Sequence, residues 1–237
     1  AVRHAVEMEA QGVDIVDIGG QSTRPGSVRI SPEEEWARIE NVVKAVAEKT
    51  NLAVSIDTFY PEVAEKALKA DAHIINDVTG FAPEMWRAVE NTDCGCIVVH
   101  PGDPDDLNGA GGNILERVRA FFEKKTTEAE QHGVNKNRLC FDPGIGFGKR
   151  NEENFALIAN PEKIRVPGTA LLMAASRKRA IGAVCGNPPF EDRMAGTVAA
   201  HTASVLFGAD MVRVHDTFEA VQAARVADAI KQFRKGV

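Results

Sequence analysis

Several features that mark particular classes of protein are scarce in or absent from this sequence. Its 237 residues contain no apolar run approaching the roughly 18 residues of a membrane-spanning helix, and no stretch reads as a signal peptide. The net charge is −6, from 28 lysines and arginines against 34 aspartates and glutamates, which argues against a general nucleic-acid-binding surface. We therefore expect no membrane and no nucleic-acid partner, although a local anion site in one cleft is compatible with this charge.

Cysteines are few and lack the spacing of a metal site. The chain has four, and no two of them form a C-x-x-C pair, so the sequence does not indicate zinc. Cys94, Cys96 and Cys140 lie in or beside predicted strands, which favours reduced, small core residues. We therefore expect a cytoplasmic protein.

What the sequence has instead is one pattern repeated seven times. A short apolar run ends in a polar or glycine-rich turn just before a helical pattern, as is typical of parallel strands that lead into helices. Some runs, such as residues 170–175, are apolar almost throughout, as strands covered on both faces are. The runs end at residues 17–20, 56–58, 76–78, 99–100, 141–144, 176–178 and 213–216.

This alternation predicts an α/β fold, the (β/α)8 or TIM barrel, which typically takes about 250 residues. No linker or low-complexity segment is visible, so residues 1–237 are predicted to form a single domain. A closed barrel needs eight strands, but the chain opens on a helical pattern, so we expect the first strand and its following loop to be missing from it. A doubly wound open sheet is the alternative, but the early glycine turn of that fold is absent.

In such a barrel the active site lies at the carboxyl ends of the strands, so the polar residues there are candidates. Asp57 follows an apolar run, where a carboxylate is costly unless it meets donors or a cationic ligand; it could instead cap the next helix. Asn76 and Asp77 end an isoleucine-rich strand and should point in opposite directions. An asparagine that donates and accepts suits the edge of a heterocycle, and a structural turn role is an equal alternative.

The segment over residues 142–149 has three glycines at alternate positions, which permit close backbone approach and positive φ. It matches neither the phosphate-binding P-loop nor the G-x-G-x-x-G pattern. Asp142 at the strand end, the glycines and the aromatic Phe147 together favour a site for an aromatic heterocycle.

Cations follow the last two predicted strands. Residues 176–179 read Ser-Arg-Lys-Arg, which is either a solvated run of charge or a strand end with at least one cation facing the site. Arg213 and His215 are two residues apart on a predicted strand and should share a face. With a helix that begins near residue 216, they indicate a phosphate or pyrophosphate site, although a lone strand histidine is more often structural.

Taken together, six segments that occur in order along nearly the whole chain resemble the dihydropteroate synthases of the pterin-binding enzyme family. The segments are residues 17–26, 55–58, 75–78, 142–149, 176–178 and 213–216. The resemblance implies a cytoplasmic transferase of folate biosynthesis, commonly a homodimer, that condenses 7,8-dihydropterin pyrophosphate with p-aminobenzoate. The products are dihydropteroate and pyrophosphate.

The resemblance also implies roles for particular residues. Mg2+ would accompany the pyrophosphate, held partly by an asparagine that we expect upstream of Ala1. The pterin would be held by Asp57, Asn76, Asp142 and Lys178, and Asp57, Asp142 and Lys178 are the catalytic candidates among them. The pyrophosphate would be held by Arg213 and His215. The p-aminobenzoate would be held by Thr23, Arg24, Pro25 and Phe147.

Two other functions are compatible with a pterin pocket. A methyltetrahydrofolate–corrinoid methyltransferase of the same family needs no pyrophosphate site, so Arg213, His215 and the cationic segment over residues 176–179 argue against it. An inactive pterin-binding protein is the other alternative, and only the missing first strand favours it.

Overall fold

The computed structural model describes residues 1–23, 26–102 and 112–234. It divides the chain into two compact units, Ala1–Val99 with Lys125–Leu139, and His100–Lys124 with Cys140–Val237. The single domain predicted over residues 1–237 stays a prediction. No helix in the described ranges is both long enough and apolar enough to cross a membrane.

The first unit alternates helices and strands, as predicted. Its strands pair in parallel and in chain order, with Ile15 opposite Ala53, Ser55 opposite Ile74, and Ile74 opposite Gly95. The elements are α1 (Val2–Gln11), β1 (Ile15–Gly19), α2 (Pro32–Lys49), β2 (Ala53–Asp57), α3 (Pro61–Leu68), β3 (Ile74–Asp77), α4 (Pro83–Val89) and β4 (Gly95–Val99).

The second unit continues the alternation. Its strands are also parallel, with Phe141 opposite Leu171 and Leu172 opposite Met211. Residues 114–131 and 139–142, the first helix and the first strand of this unit, each include residues of both units. The elements are α5 (Ile114–Gln131), β5 (Leu139–Asp142), α6 (Asn151–Ala159), α7 (Pro161–Ile164), β6 (Ala170–Met173), α8 (Arg179–Val184), α9 (Met194–Phe207), β7 (Met211–Val212) and α10 (Thr217–Arg234).

Local sequence explains where helices begin and end. Ser31 is the N-cap of α2, and its side chain accepts a hydrogen bond from the Glu34 N–H at 3.2 Å. Pro32 occupies the first helical position, and acidic residues fill the first turn next to the positive end of the helix dipole. Gly12 ends α1 in the left-handed conformation, with φ of 93°.

The strands contribute much of the core of each unit, and β2 to β6 are largely buried. In β2, three consecutive residues, Val54, Ser55 and Ile56, are all fully buried. Since successive strand residues point to opposite faces, both faces of β2 are covered. This burial fixes the strand ends, and therefore the polar residues that follow them, in place.

The structure departs from the prediction at the last strand. β7 ends at Val212, so the prediction that Arg213 and His215 lie on a strand was wrong. The Arg213 N–H still donates to the Met173 carbonyl at 3.2 Å, but the His215 N–H donates to the Ser176 hydroxyl at the same distance. This side-chain acceptor replaces the next ladder bond, which ends the strand.

Two short helices, α7 and α8, were also not predicted. They span four and six residues, which is too short for an apolar period to be visible in the sequence.

Candidate active-site clusters

A polar cluster in the first unit is built on the carboxyl ends of β1 to β3. The Asp17 carboxylate accepts from the Ser55 hydroxyl at 2.7 Å and from the Asn76 amide nitrogen at 3.1 Å. Asp57, half-buried at the end of β2, is the register partner of Asn76. The structure therefore brings together two predicted site residues, Asp57 and Asn76. It adds Asp17, which the prediction did not single out.

Asn76 presents a buried acceptor. The residue is 4% exposed, and its Oδ1 atom has no hydrogen-bond partner among the described residues. A buried polar atom without a partner is costly, and here Asp17 already uses the amide nitrogen. The arrangement thus suits a ligand that donates a hydrogen bond.

The neighbouring Asp77 has a different role. Its carboxylate accepts from the Thr79 N–H and hydroxyl, both at 2.7 Å, and from the Phe81 N–H at 2.9 Å. Burial raises the pKa of Asp77, and these donors oppose the rise. Asp77 therefore holds the turn after β3, which confirms that the two residues face opposite ways. The N-cap of α3 is Tyr60, so Asp57 is not the cap of that helix.

A second buried carboxylate lies beneath the loop that follows β1. Glu35 of α2 is fully buried and accepts from the Gln21 amide at 2.8 Å and the Thr58 hydroxyl at 3.2 Å. Burial is the largest influence on Glu35 and raises its pKa. A Cβ at Gly20 would lie 2.7 Å from the Glu35 Cγ, so glycine is required for this approach.

In the second unit, Asp142 ends β5 with its carboxylate buried. Its Oδ1 accepts from the Gly144 N–H at 2.7 Å. Burial raises the pKa of Asp142, and the positive charges of Lys178, Lys149 and Arg213 oppose that rise. The cluster therefore combines one buried carboxylate with three cations, which is the charge pattern of a site that handles an ionic substrate.

The glycines after Asp142 are structurally required. Gly144, Gly146 and Gly148 all have positive φ, of 68°, 84° and 54°, which confirms the predicted role of the alternate glycines. A Cβ at Gly144 would lie 2.0 Å from the His100 carbonyl oxygen. The loop can pass this close to the backbone only without a side chain at this position.

Lys149 closes the glycine loop from inside. It is 2% exposed, and its ammonium donates to the carbonyls of Gly144 and Phe147, both at 3.0 Å, and of His100 at 3.4 Å. Burial lowers the pKa of Lys149 to about 7, with Asp142 opposing the change. One side chain thus ties the glycine loop to the segment that follows β4, through three backbone carbonyls.

Of the three cations after β6, one faces the glycine loop. The Lys178 ammonium donates to the Ile145 carbonyl and lies 4.7 Å from the centre of the Phe147 ring. Burial lowers the pKa of Lys178, and Asp142 opposes this. Arg177 instead forms an ion pair with Asp216. Lys178 is therefore the cation of this segment that lies against the glycine loop.

His215 is held by Ser176. The Ser176 hydroxyl accepts from the His215 N–H at 3.2 Å and lies 2.8 Å from the ring Nδ1. A hydroxyl oxygen has two lone pairs and one hydrogen, so Ser176 can accept from the backbone N–H and still either donate to Nδ1 or accept from it. In either case the contact fixes the orientation of the His215 ring.

The remaining predicted residues are those expected to bind p-aminobenzoate, and this role stays a prediction. Thr23 is half-buried in the loop after β1, and Phe147 is half-buried beneath the Lys178 ammonium. Arg24 and Pro25 lie outside the described residues.

Several residues of these clusters were missed by the sequence reasoning. For two of them, Glu35 and Lys149, the sequence contains a feature that could have identified them. Glu35 is on the same helical stripe as the buried Ile39, Val43 and Val46, and a carboxylate on an apolar stripe needs a partner. Lys149 ends the glycine segment but was given no role. Among the parts of the chain that the structure describes, no group of three or more His, Cys, Asp or Glu side chains could hold a metal ion.

The folds of the units and these buried strand-end clusters define an α/β enzyme. A model of the family described as pterin binding enzyme matches residues 1–215. The chain belongs to this family.

Individual relatives agree. The dihydropteroate synthase of Clostridium beijerinckii is 38% identical over 233 residues, covering 97% of this chain and 85% of the relative. The structure of Xanthomonas albilineans dihydropteroate synthase with 4-aminobenzoic acid has a TM-score of 0.91 and 37% identity, with 97% of this chain and 84% of that chain covered. Burkholderia cenocepacia dihydropteroate synthase complexed with 7,8-dihydropteroate also has a TM-score of 0.91, at 36% identity over 99% of this chain and 88% of that one. The predicted TIM-barrel-like α/β fold is thereby confirmed.

Proposed function

We propose that this protein is a dihydropteroate synthase. It is a transferase of folate biosynthesis that condenses 7,8-dihydropterin pyrophosphate with p-aminobenzoate and releases pyrophosphate. The observation that carries the proposal is the buried Asp142 carboxylate among Lys178, Lys149 and Arg213. It occurs in a chain whose relatives are named dihydropteroate synthases.

In the first unit, Asp57 and Asn76 bind the pterin. The buried Oδ1 of Asn76 accepts a hydrogen bond from a ring N–H or amino group. Asp17 orients the amide by accepting from its nitrogen at 3.1 Å. The Asp57 carboxylate accepts from the same kind of donor and adds negative charge near the ring.

In the second unit, the residues that the family resemblance assigns to the pterin are Asp142 and Lys178. Departure of pyrophosphate leaves positive charge spread over the pterin methylene and ring. Carboxylates stabilise that charge more strongly than they stabilise the uncharged ring, which is the differential binding that lowers the barrier. Burial raises the pKa of Asp142, and the cations beside it oppose that rise and so favour the ionised carboxylate that this role needs. The amine of p-aminobenzoate then attacks the methylene, and positioning contributes more than a strong base.

Arg213 and His215 bind the pyrophosphate. A guanidinium and an imidazole N–H both donate to phosphate oxygens, and their donation offsets the charge that develops on the leaving group. Ser176 orients the His215 ring by contacting Nδ1 at 2.8 Å. Thr23, Arg24, Pro25 and Phe147 frame the p-aminobenzoate.

Magnesium is proposed from the family resemblance alone. The described residues offer no cluster of three metal-binding side chains, so they do not fit a site built by the protein. Mg2+ is commonly held by one or two carboxylates with substrate phosphates and water. No step above uses the ion.

A homodimer in the cytoplasm is also proposed. Exposed apolar side chains at Phe218, Val226 and Ile230 lie along α10 and suit contact with a second copy; sedimentation of the native protein against Val226→Glu tests this. The four cysteines are free, and three of them are buried, as in a reducing compartment.

Incubation of the full-length protein with each substrate separately and with both tests the proposed activity. We expect dihydropteroate and pyrophosphate to form only with both substrates. Asp142→Asn should lower kcat/KM by roughly 100-fold or more, because the neutral amide no longer stabilises the cation. The matched control is Asp192→Asn, an exposed carboxylate of the same unit. Absence of product from the native protein, or equal rates for the two variants, would contradict the proposal.

A further inference from the structure

Helix α9 holds the turn that follows β6 by two side chains. The Thr197 hydroxyl accepts from the Arg177 N–H at 2.9 Å, and the His201 Nε2 accepts from the Ala175 N–H at 3.1 Å. Both side chains are 3% exposed. They are four residues apart and therefore lie on one face of the helix, where they meet backbone amides two residues apart.

The side chains between and after these anchored amides point to the candidate site. Ser176 contacts the backbone and ring of His215, and Lys178 contacts the Ile145 carbonyl. Residues 175 and 177 are thus held by α9 through their backbone, while residues 176 and 178 face the ligand-binding side. The position of α9 decides where Ser176 and Lys178 lie.

The turn includes a strained residue at its centre. Arg177 has φ of 55°, in the left-handed region that residues with a Cβ rarely adopt. Three contacts hold it there: its N–H donates to Thr197, its carbonyl accepts from Arg193 at 3.1 Å, and its guanidinium pairs with Asp216. Such strain persists only where the surroundings impose it, which is most often at functional sites.

His201 can accept a hydrogen bond only while Nε2 is unprotonated. The pKa of His201 is lowered to about 4; burial is the largest cause, and Lys178 and His215 act in the same direction. The neutral ring carries its proton on Nδ1, an atom with no hydrogen-bond partner among the described residues. The acceptor is therefore available throughout the neutral pH range.

We propose that Thr197 and His201 are positioning residues for the pyrophosphate end of the substrate: they fix the turn after β6 so that Ser176 orients His215. The inference rests on the proposed function, since that function assigns pyrophosphate to Arg213 and His215. It adds that affinity for pyrophosphate depends on two helix side chains whose hydrogen bonds go to the backbone of the turn.

Binding of inorganic pyrophosphate, measured by calorimetry on the full-length protein, tests the inference without either substrate. Thr197→Val keeps the shape of the side chain and removes the acceptor. We expect it to bind pyrophosphate roughly tenfold more weakly, a change in binding free energy similar to that of one lost hydrogen bond. Thr197→Ser keeps the hydroxyl and should bind within about twofold of the native protein. Ser204→Ala is the matched control, because the Ser204 hydroxyl is buried in α9 but bonds only to Ala200.

His201→Gln and His201→Leu give a second pair, in which only the glutamine can replace the acceptor. If Thr197→Val does not fold, this pair decides the outcome. A loss of stability without a loss of pyrophosphate affinity overturns the inference, as does equal impairment of Thr197→Ser and Thr197→Val, or no binding by the native protein. If the native protein binds pyrophosphate, Thr197→Val binds it more weakly, and no dihydropteroate is made, then the positioning role stands and the proposed function fails.

Discussion

The buried Lys149 should make the stability of this protein depend on pH in a defined direction. Its pKa is lowered from the ordinary 10.5 to about 7, and burial is the largest cause. Because the folded state gives up its proton first, the unfolded chain binds more protons between these two values. The free energy of unfolding should therefore rise with pH from about 7 towards 10.5.

The size of the effect follows from the same two values. They differ by 10.5 − 7, or about 3.5, and each unit is worth about 1.4 kcal/mol. The buried charge thus costs the fold on the order of 5 kcal/mol below pH 7. That cost is removed as Lys149 deprotonates, while a neutral amine can still donate to the carbonyls of Gly144 and Phe147, which lie at 3.0 Å.

Lys149→Met has a similar length and no titrating group, so it isolates this contribution. Urea unfolding of both proteins at pH 7, 8, 9 and 10 gives the difference in unfolding free energy at each pH. That difference should move in favour of the native protein by several kcal/mol as the pH rises. Lys163→Met, at an exposed lysine of the same unit, should instead run parallel to the native protein. Parallel curves for Lys149→Met would refute the argument.

Two further substitutions test the close contacts of the site. Gly144→Ala should lower the Tm by more than about 5 °C, since φ is 68° and the added Cβ would meet the His100 carbonyl at 2.0 Å. The control Gly186→Ala, also at positive φ but with open space around the added Cβ, should lower the Tm clearly less. Equal Tm values for the two variants would contradict the clash. Glu35 has a raised pKa, so the stability it contributes is present in acid and lost as the pH rises through that pKa. By urea unfolding at pH 7, Glu35→Gln should therefore be up to about 1 kcal/mol more stable than the native protein. Glu35→Leu should be about 1–3 kcal/mol less stable, because Gln21 and Thr58 lose their acceptor. A Glu35→Gln variant as unstable as Glu35→Leu would contradict this.

The order of elements could be predicted from the sequence because it depends on neighbouring residues. Prolines at the first helical position and capping residues depend on local backbone geometry. Helices α3 and α4, for example, both begin with proline. The end of β7 was predicted too late in the chain, since the last ladder bonds of a strand depend on partners from other strands.

The direction in which each side chain points at the strand ends was harder to predict from the sequence. Asn76 and Asp77 are adjacent and equally polar, yet one lies beside Asp17 and the other holds a turn. The choice depends on the pleat of β3 within the sheet, and a shift of one residue would exchange the two. In the same way, the different roles of Lys178 and Arg177 could be distinguished only by their partners, Ile145 and Asp216, which are distant in the chain.

The sequence by itself determined the alternation of strands and helices, the polar strand ends and the need for glycine after Asp142, because each depends on residues close together in the chain. Only the tertiary structure decided that Lys149 is buried among three carbonyls and that α9 supports the turn after β6. Thr197 and Arg177 are 20 residues apart in the chain. Contacts over such separations arise when elements pack together, and no local pattern in the sequence records them.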